Sequence, residues 1–253
     1  MNYQIFIPVR LNSSRLPNKP LIDICGKTVI QRAIEQCPQR PVLVCPKADA
    51  AALMRGIDRS VGFDLILTEE EDERRCHCGT DRIAIAVQRF PNLMEGIDIA
   101  INFQGDNILA SEGAFSRLVE LMCSSSNNDN KIGTLFINSF SVGHVCAIRG
   151  IDSRLVYFSR TWSGGVAGCR HVGIYAYSKA ALKKFHSLTE TLLEQQEKLE
   201  QLRWISYGLP IYGAKAGRTL GGTAPHFGWI DINTMDDVME ARKLLCNELE
   251  NQI

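Results

Sequence analysis

The sequence predicts an α/β protein in which a mostly parallel sheet has helices packed on both faces. Short apolar runs recur along the 253-residue chain, and stretches with the helical spacing of apolar residues lie between the earlier ones. This alternation is typical of parallel strands joined by crossover helices. The chain length allows one sizeable core, so we expect a single domain over residues 1–253.

The predicted elements follow in chain order. The strands are YQIFIPV, PVLVCP, FDLILT, IDIAINF, IGTLFI, HVCAIRG, RHVGIYAYS and GWIDI, and the earlier helices are TVIQRAIEQC, DAAALMRGI, TDRIAIAVQRF and GAFSRLVELMC. One further helix is predicted over TLLEQQEKLEQLRW. Thr191 and Glu194 form a capping-box pattern at its start, and Leu192, Leu199 and Leu202 form its apolar stripe.

Charge and composition restrict the partners. The chain has 28 Lys and Arg against 28 Asp and Glu, a net charge of +0, so no global field favours nucleic acid or a membrane surface. We see no apolar run of membrane-spanning length and no leader-type start, so we expect a cytoplasmic protein. The 9 cysteines occur without a CxxC pattern, and we expect them to be reduced. Zinc at Cys76-His77-Cys78 is the weaker alternative, because no second ligand pair lies at suitable spacing.

The loop after the first strand, PVRLNSSRLPNKPL, is unusually basic. Arg10, Arg15 and Lys19 supply cations, and Ser13 and Ser14 supply hydroxyl donors. Phosphate groups are bound by such charge-assisted donors. The loop contains neither GxxxxGK[ST] nor GxGxxG. A local polyanion site is therefore one interpretation, and a solvated basic loop is the other.

Acidic residues follow two other predicted strands. Asp106 ends NFQGD beside Gly105, and its hard carboxylate oxygens suit Mg²⁺. Asp231 and Asn233 are two residues apart on a later strand, so they point to one face. If that strand lies near Asp106, the two carboxylates could hold a cation. The alternative for Asp106 alone is a cap on the following turn.

Several polar residues in the second half of the chain have both a functional and a structural interpretation. Glu197, Glu200 and Gln201 share one side of the predicted helix, which would ordinarily be a solvated face. His171 could contact a ligand or be a hydrogen-bonded structural histidine. Arg160 in YFSR could likewise bind a ligand or have a structural role.

Taken together, the motifs resemble the 3-deoxy-manno-octulosonate (KDO) cytidylyltransferases. The matching segments occur in family order over nearly the whole chain: PVRLNSSRLPNKPL, GTDR, NFQGD, YFSR, RHVGIYAYS, LEQQEKLEQLR and TMDDV. RLPNKPL and NFQGD alone would suggest only a broader group of nucleotidyltransferases, whereas RHVGIYAY with KLEQLR is far more specific to the KDO branch. The resemblance implies a nucleotidyltransferase sheet flanked by helices, with a smaller strand-rich part for dimerisation and sugar binding.

The resemblance also implies an activity and residue roles. The enzyme would transfer CMP from CTP to a 2-keto-3-deoxy sugar acid, for lipopolysaccharide or surface glycan synthesis, with Mg²⁺ as cofactor and as a homodimer. The implied catalytic residues are Arg10, Lys19 and Asp106. The implied nucleotide-binding residues are Arg10, Ser13, Arg15, Lys19, Cys78, Gly79 and Asp106. The implied sugar-binding residues are Gln104, Arg160, His171, Tyr175, Glu200 and Gln201, and the metal ligands are Asp106, Asp231 and Asn233.

Within one domain, the resemblance implies a nucleotide-binding part over about residues 1–133. A sugar-binding and dimerisation part covers about residues 134–230, and the last strand and helix return to the core. The chain departs from the family pattern at several places: Asn233 replaces an Asp, Cys146 replaces a Lys, QGDN and CHCGTDR are altered, and TWSGGVAGC is short. The alternatives are therefore the same chemistry on an amino-KDO or sialic-like acid, and a non-catalytic nucleotide-binding homologue.

Overall fold

Strands and helices alternate through the first half of the chain, as the sequence predicts. The computed structural model describes residues 1–13, 15–110, 113–124, 129–138, 144–161, 168–217 and 229–250, with side chains as far as residue 246. The strands are β1 (Tyr3–Pro8), β2 (Asp23–Ile24), β3 (Lys27–Thr28), β4 (Val42–Pro46), β5 (Asp64–Thr68), β6 (Ile99–Phe103), β7 (Asn107–Leu109), β8 (Ile132–Ile137), β9 (Cys146–Arg149), β10 (Arg154–Ser159), β11 (Gly168–Ser178), β12 (Ile211–Lys215) and β13 (Ile230–Asp231).

The helices of the described residues are α1 (Val29–Glu35), α2 (Lys47–Arg55), α3 (Glu70–Glu73), α4 (Gly79–Arg89), α5 (Ala114–Ser124), α6 (Lys179–Ser187), α7 (Leu192–Glu197), α8 (Gln201–Ser206) and α9 (Met235–Glu250), and short 3₁₀ turns cover Lys19–Leu21 and Pro91–Met94. Side-chain caps start several of them. Thr28 accepts from the backbone N–H of Gln31, and Ser178 accepts from that of Ala181. Each cap satisfies one of the N–H groups that a helix start leaves unpaired.

A 9-stranded sheet, in the order β5-β4-β1-β6-β11-β8-β12-β10-β9, organises the molecule. Strands β5, β4, β1 and β6 are parallel neighbours, whereas β11 runs antiparallel to both β6 and β8. Strand β9 pairs with both β10 and the start of β11, so five strands close into a ring. The α/β class and the strand-rich second part are confirmed. The parallel pairing is concentrated in the first half of the chain, and the complete sheet is mixed.

Both faces of the sheet are covered. Along β1, Ile5 and Ile7 join the core cluster that contains Ile30 of α1. Phe6 joins the cluster on the opposite face, which contains Ile83 of α4. A strand buried on both faces reads as a continuous apolar run, which explains the uninterrupted apolar stretch at the start of the sequence.

The long helix predicted over residues 191–204 is wrong as a single element. The capping box of Thr191 and Glu194 is present, but α7 ends at Lys198, which has a left-handed φ of 55°. A left-handed residue cannot continue an α-helix, so α8 begins in a new direction. Leu199 and Leu202 are buried as expected, whereas Leu192 is 70% exposed.

The last helix packs on the first hairpin, and this contact contradicts the expectation that all cysteines are reduced. Cys25 between β2 and β3 is disulfide-bonded to Cys246 of α9, with a Cα–Cα distance of 5.7 Å. The two residues are 221 positions apart, so neither spacing nor a motif pointed to the pair. The other cysteines are free thiols.

Candidate active site

Two cavities meet at the carboxyl end of the parallel strands, where ligands of such sheets bind. The small cavity, of about 230 Å³, is lined by Pro8, Val9, Arg10, Ser13, Arg15, Lys19, Pro20, Cys76, Cys78, Gly79, Arg82, Gln104, Gly105 and Asp106. The large cavity, of about 650 Å³, extends towards the antiparallel half and α9. Its lining includes His144, Arg160, His171, Tyr175, Lys198, Glu200, Gln201, Asp231, Asn233, Asp236 and Asp237. Arg15, Cys78, Gly79, Gln104 and Asp106 line both cavities.

The basic loop after β1 wraps the small cavity. Arg10, Ser13, Arg15 and Lys19 all line it, although they are spread over ten positions of the sequence. The backbone N–H of Leu11 donates to Asp49 at 2.8 Å, which anchors the loop to α2. The Nζ of Lys19 lies 2.5 Å from Asp106, so this cation reaches the border between the cavities. Ser14 lies outside the described residues. The cluster of donors fits an anion such as a polyphosphate.

The start of α4 lies at the junction of the two cavities, where Cys78 and Gly79 line both of them. A Cβ at Gly79 would lie 3.0 Å from the side-chain nitrogen of Gln104 and 3.0 Å from Pro8, so a larger residue would displace one of them. The Sγ of Cys78 caps the helix by accepting from the N–H of Asp81. Burial and the nearby Glu200 raise the pKa of the Cys78 thiol well above its usual value, so the thiol stays protonated.

A chain of hydrogen bonds that the sequence analysis did not predict connects Gln104 to Glu200. Gln104 donates through Nε2 to Asn102 Oδ1 (3.0 Å), and Asn102 donates through Nδ2 to Thr80 Oγ1 (3.1 Å). Thr80 donates to Glu200 from both its backbone N–H and its hydroxyl. The hydroxyl of Tyr177 lies 2.8 Å from that of Thr80. The one signal available in the sequence was a polar Asn inside the apolar run IDIAINF, and the structure buries this Asn102 fully.

Glu200 and Gln201 lie side by side on the wall of the large cavity. Burial is the main cause that raises the pKa of the Glu200 carboxyl. Gln201 is 4% exposed, and its Oε1 accepts from the hydroxyl of Tyr175 at 3.1 Å. Its Nε2 has no hydrogen-bond partner among the described residues. Because an unpaired buried donor is costly, this amide is available to a ligand oxygen.

Arg160 lines the large cavity from the end of β10. Its Nε donates to the carbonyl of Glu197 (3.0 Å), and Nη2 donates to that of Lys198 (3.2 Å). Burial and the charge of Arg15 lower the pKa of its guanidinium. Glu197, predicted to lie beside Glu200 and Gln201, instead accepts from the backbone N–H of Arg160 and from Ser159. It holds Arg160 in place and is not among the residues that line the cavity.

The two acidic segments are brought together by a short antiparallel pairing. Strand β13 pairs with β7, and the N–H of Ile232 donates to the carbonyl of Asp106 at 3.0 Å. Asp231 accepts from Arg170 (3.2 Å) and from the side-chain amide of Asn233 (2.5 Å). Burial and then the charge of Asp106 raise the pKa of Asp231. Asp106 and Asp231 therefore line the same cavity, and the charge of Asp106 acts on the Asp231 carboxyl.

Other predicted features have structural roles or lie elsewhere. Cys146 is buried in β9, and Cys76 is buried beside the small cavity. Most of the segment TWSGGVAGC lies outside the described residues. Within the described ranges, no group of three or more His, Cys, Asp or Glu side chains is arranged to hold a metal ion. No helix there is both long and apolar enough to cross a membrane.

The basic loop after the first parallel strand and the carboxylate at the end of a neighbouring strand are arranged as expected for a nucleotidyltransferase. A family model described as Cytidylyltransferase matches residues 4–145. The chain belongs to the cytidylyltransferase family, and the enzyme class predicted from its motifs is confirmed.

The full-length relatives are more specific. The 3-deoxy-manno-octulosonate cytidylyltransferase of Francisella tularensis subsp. holarctica (strain LVS) is 31% identical over 96% of this chain and 98% of its own length. That of Acidobacterium capsulatum is 32% identical over 94% of both chains. A solved structure of a CMP:2-keto-3-deoxy-manno-octonic acid synthetase complexed with CTP is also similar. The match covers 98% of this chain and 100% of that chain, with 26% sequence identity and a TM-score of 0.76. The KDO resemblance is therefore confirmed.

Proposed function

We propose that this enzyme transfers the cytidylyl group of CTP to the anomeric hydroxyl of KDO and releases pyrophosphate, for lipopolysaccharide or surface glycan synthesis. The observation that carries the proposal is the meeting of the two cavities at Gln104 and Asp106. The small cavity offers the cations that a triphosphate requires, and the large cavity offers hydrogen-bonding groups for a hydroxylated acid. The relatives with matching length are named for this reaction.

In the small cavity, Arg10, Ser13, Arg15 and Lys19 hold the triphosphate, and Cys78 and Gly79 bound the nucleotide on the α4 side. The anomeric oxygen of the acid attacks the α-phosphorus while the bond to the pyrophosphate oxygen breaks. The hydroxyl proton is released to solvent. Lys19 and Arg10 stabilise the charge that develops on the leaving pyrophosphate. Positioning the two substrates supplies the remaining rate enhancement, and no covalent enzyme intermediate is required.

In the large cavity, the acid is held by a cation and by several neutral or acidic groups. Arg160 presents its remaining guanidinium N–H groups to the carboxylate, since two N–H directions are already committed to carbonyls. Gln201 donates from its free Nε2. Gln104, His171, Tyr175 and Glu200 complete the contacts to hydroxyl groups.

The donor set at the junction fits a divalent cation such as Mg²⁺. Asp106 and Asp231 are two hard carboxylates whose mutual repulsion a cation would relieve. Asn233 keeps an amide oxygen available, because its nitrogen donates to Asp231. Asp231 would thereby supply the carboxylate that Asn233 lacks. When bound, Mg²⁺ would neutralise phosphate charge beside the α-phosphorus.

The discriminating experiment is a pyrophosphate-release assay with CTP, Mg²⁺ and a panel of acid sugars: KDO, an amino-KDO and a sialic acid. Preferential turnover of KDO supports the proposal. Rejection of KDO with turnover of another acid moves the function to the same chemistry on that acid. Failure of every acid, with CTP binding retained in calorimetry, favours a non-catalytic homologue. The cytoplasmic location and the homodimer remain predictions, and sedimentation of the purified enzyme tests the latter.

A further inference from the structure

The hydroxyl of Thr134 lies behind the large cavity, where β8 pairs with β11. Thr134 is 0% exposed, and its Oγ1 lies 2.7 Å from the carbonyl oxygen of Ile174, 3.2 Å from that of Val172 and 3.0 Å from His171 Nε2. Carbonyl oxygens can only accept a hydrogen bond, whereas an imidazole nitrogen can donate or accept. The three neighbours are therefore not equivalent.

A hydroxyl has one hydrogen, and here a carbonyl takes it. If the hydrogen pointed to His171 instead, the oxygen lone pairs of Thr134 would face two carbonyl oxygens at hydrogen-bond distance, which is repulsive. With the hydrogen on the Ile174 side, a Thr134 lone pair faces Nε2 of His171. Nε2 must then carry a hydrogen, and in the neutral ring Nδ1 carries the lone pair.

His171 lines the large cavity, and with Nε2 committed to Thr134, Nδ1 is the ring nitrogen left for a ligand there. No described residue donates to Nδ1, and Nδ1 is not among the enclosed side-chain atoms without a partner. The ring is fixed between Phe158 and Tyr175, with centroids 5.0 Å and 5.4 Å away. Burial and the charge of Arg160 lower the pKa of His171 to about 3, so the ring is neutral at physiological pH.

Thr134 also supports the backbone that aims this ring. The register between β11 and β8 shifts between Val172 and Tyr175, and the two carbonyl oxygens next to the Thr134 hydroxyl lie in this irregular segment. Such bulges redirect side chains beside active sites. His171, Gly173 and Tyr175 around this bulge all line the cavity.

We propose that Thr134 is a positioning residue that holds His171 as the Nε2–H tautomer, so that Nδ1 accepts a hydrogen bond from a hydroxyl of the acid sugar. The identity of the ligand rests on the proposed function, whereas the tautomer does not. A hydroxyl can donate to Nδ1, but an ether oxygen, a fluorine or a hydrogen cannot. The cavity therefore selects a hydroxyl at this position.

The test uses ¹⁵N-labelled full-length enzyme and the variants Thr134→Val and Thr134→Ser. Long-range ¹H–¹⁵N spectra, with His171 assigned by comparison with His171→Gln, should show the Nε2–H tautomer in the wild type and in Thr134→Ser. Thr134→Val should lose this tautomer preference. Because one hydrogen bond to the acid is weakened, KM for KDO should rise about fivefold to tenfold in Thr134→Val, with KM for CTP unchanged. Thr134→Ser, which keeps the hydroxyl, should keep the wild-type KM for KDO.

An Nδ1–H tautomer in the wild-type spectrum overturns the proposal even if Thr134→Val does not fold. An unchanged tautomer together with an unchanged KM for KDO in a folded Thr134→Val also overturns it. Equal rises of KM for both substrates would indicate a merely structural role and contradict the proposal. If no acid sugar is turned over, the proposed function fails, but the wild-type spectrum still decides the tautomer.

Discussion

At the scale of single residues, two glutamine side chains, Gln104 and Gln201, each bond to the protein at one end of the amide and leave the other end free. Gln104 donates to Asn102 and keeps its carbonyl oxygen, whereas Gln201 accepts from Tyr175 and keeps its N–H₂ group. An amide fixed at one end cannot flip to present the wrong partner. The large cavity therefore has a defined order of donors and acceptors before any ligand binds.

Asp106 lines both the small and the large cavity. We expect turnover to depend on the charge of its carboxylate. Asp106→Asn keeps the shape but removes a carboxylate from the pair with Asp231, so kcat should fall about 10²- to 10³-fold. The measurement is pyrophosphate release at saturating CTP, KDO and Mg²⁺. Asp152→Asn, an exposed aspartate in the turn after β9, is the matched control. Normal turnover by Asp106→Asn would contradict the metal assignment.

The lowered pKa of His171 predicts that the unfolding free energy of the protein decreases in acid. Its pKa is lowered to about 3 from an ordinary value of 6.5, so between these values the unfolded chain binds more protons than the native protein. The stabilisation is complete above pH 6.5 and is lost as the pH falls towards 3. His171→Gln should reduce the difference in unfolding free energy between pH 7 and pH 5 by about 2 kcal/mol. Urea unfolding at both values measures it.

The control for this prediction is His77→Gln, which changes an exposed histidine. It should leave the pH dependence of the unfolding free energy as in the wild type. If His171→Gln and His77→Gln behave alike, the titration of His171 does not control acid stability.

At the scale of elements, α8 is joined to α4 and α7 by one buried arginine that the sequence did not single out. Arg203 is 2% exposed and donates to Asp81 on α4 (2.8 Å) and to both oxygens of Glu194 on α7. Its guanidinium also lies 4.5 Å from the ring centre of Phe185. Because Glu200 and Gln201 precede α8 or begin it, this network fixes the wall of the large cavity.

Arg203→Met should therefore destabilise the protein strongly. It leaves two buried carboxylates without their cation, which costs about 3 to 5 kcal/mol of unfolding free energy. Arg74→Met, which removes the exposed partner of Glu70, should change it by less than about 1 kcal/mol. Urea unfolding of the two variants makes the comparison. Equal effects would show that the buried network contributes no more than a surface ion pair.

At the scale of the whole molecule, the two halves of the sheet lie next to different cavities. The parallel strands β1 and β6 lead into the residues of the small cavity, and the antiparallel strands β10 and β11 carry Arg160, His171 and Tyr175 next to the large one. Strand β13 then pairs with β7 of the first half, which brings Asp231 into the cavity that Asp106 also lines. The final helix α9 is attached to the first hairpin by the Cys25–Cys246 bond.

This disulfide should contribute to global stability, because it closes a loop of nearly the whole chain. Cys246→Ser should lower the unfolding free energy by about 2 to 5 kcal/mol under non-reducing conditions. Reduced wild type and Cys246→Ser should then be equally stable. Cys123→Ser, which removes an exposed free thiol, is the control. Peptide mapping that finds both Cys25 and Cys246 as free thiols would contradict the bond.

The local pattern of the sequence was enough for the α/β class, the main parallel strands and the polar ends of β1 and β6. Apolar periodicity and capping residues act over a few positions, so they can be read without a structure. The motifs also supplied the family and most of the residues that line the cavities. The break at Lys198, the mixed half of the sheet and the strands β10 and β12 were not predicted.

Local sequence patterns are enough to tell which chemical groups lie near the ends of the strands. The tertiary structure alone decided which of them face one another. Asp231 meets Asp106 because β13 pairs with β7, Thr134 meets His171 because β8 pairs with β11, and Cys25 meets Cys246 because α9 packs on the hairpin. Each pair is separated by tens to hundreds of positions, and such contacts depend on packing of the whole chain rather than on any local preference.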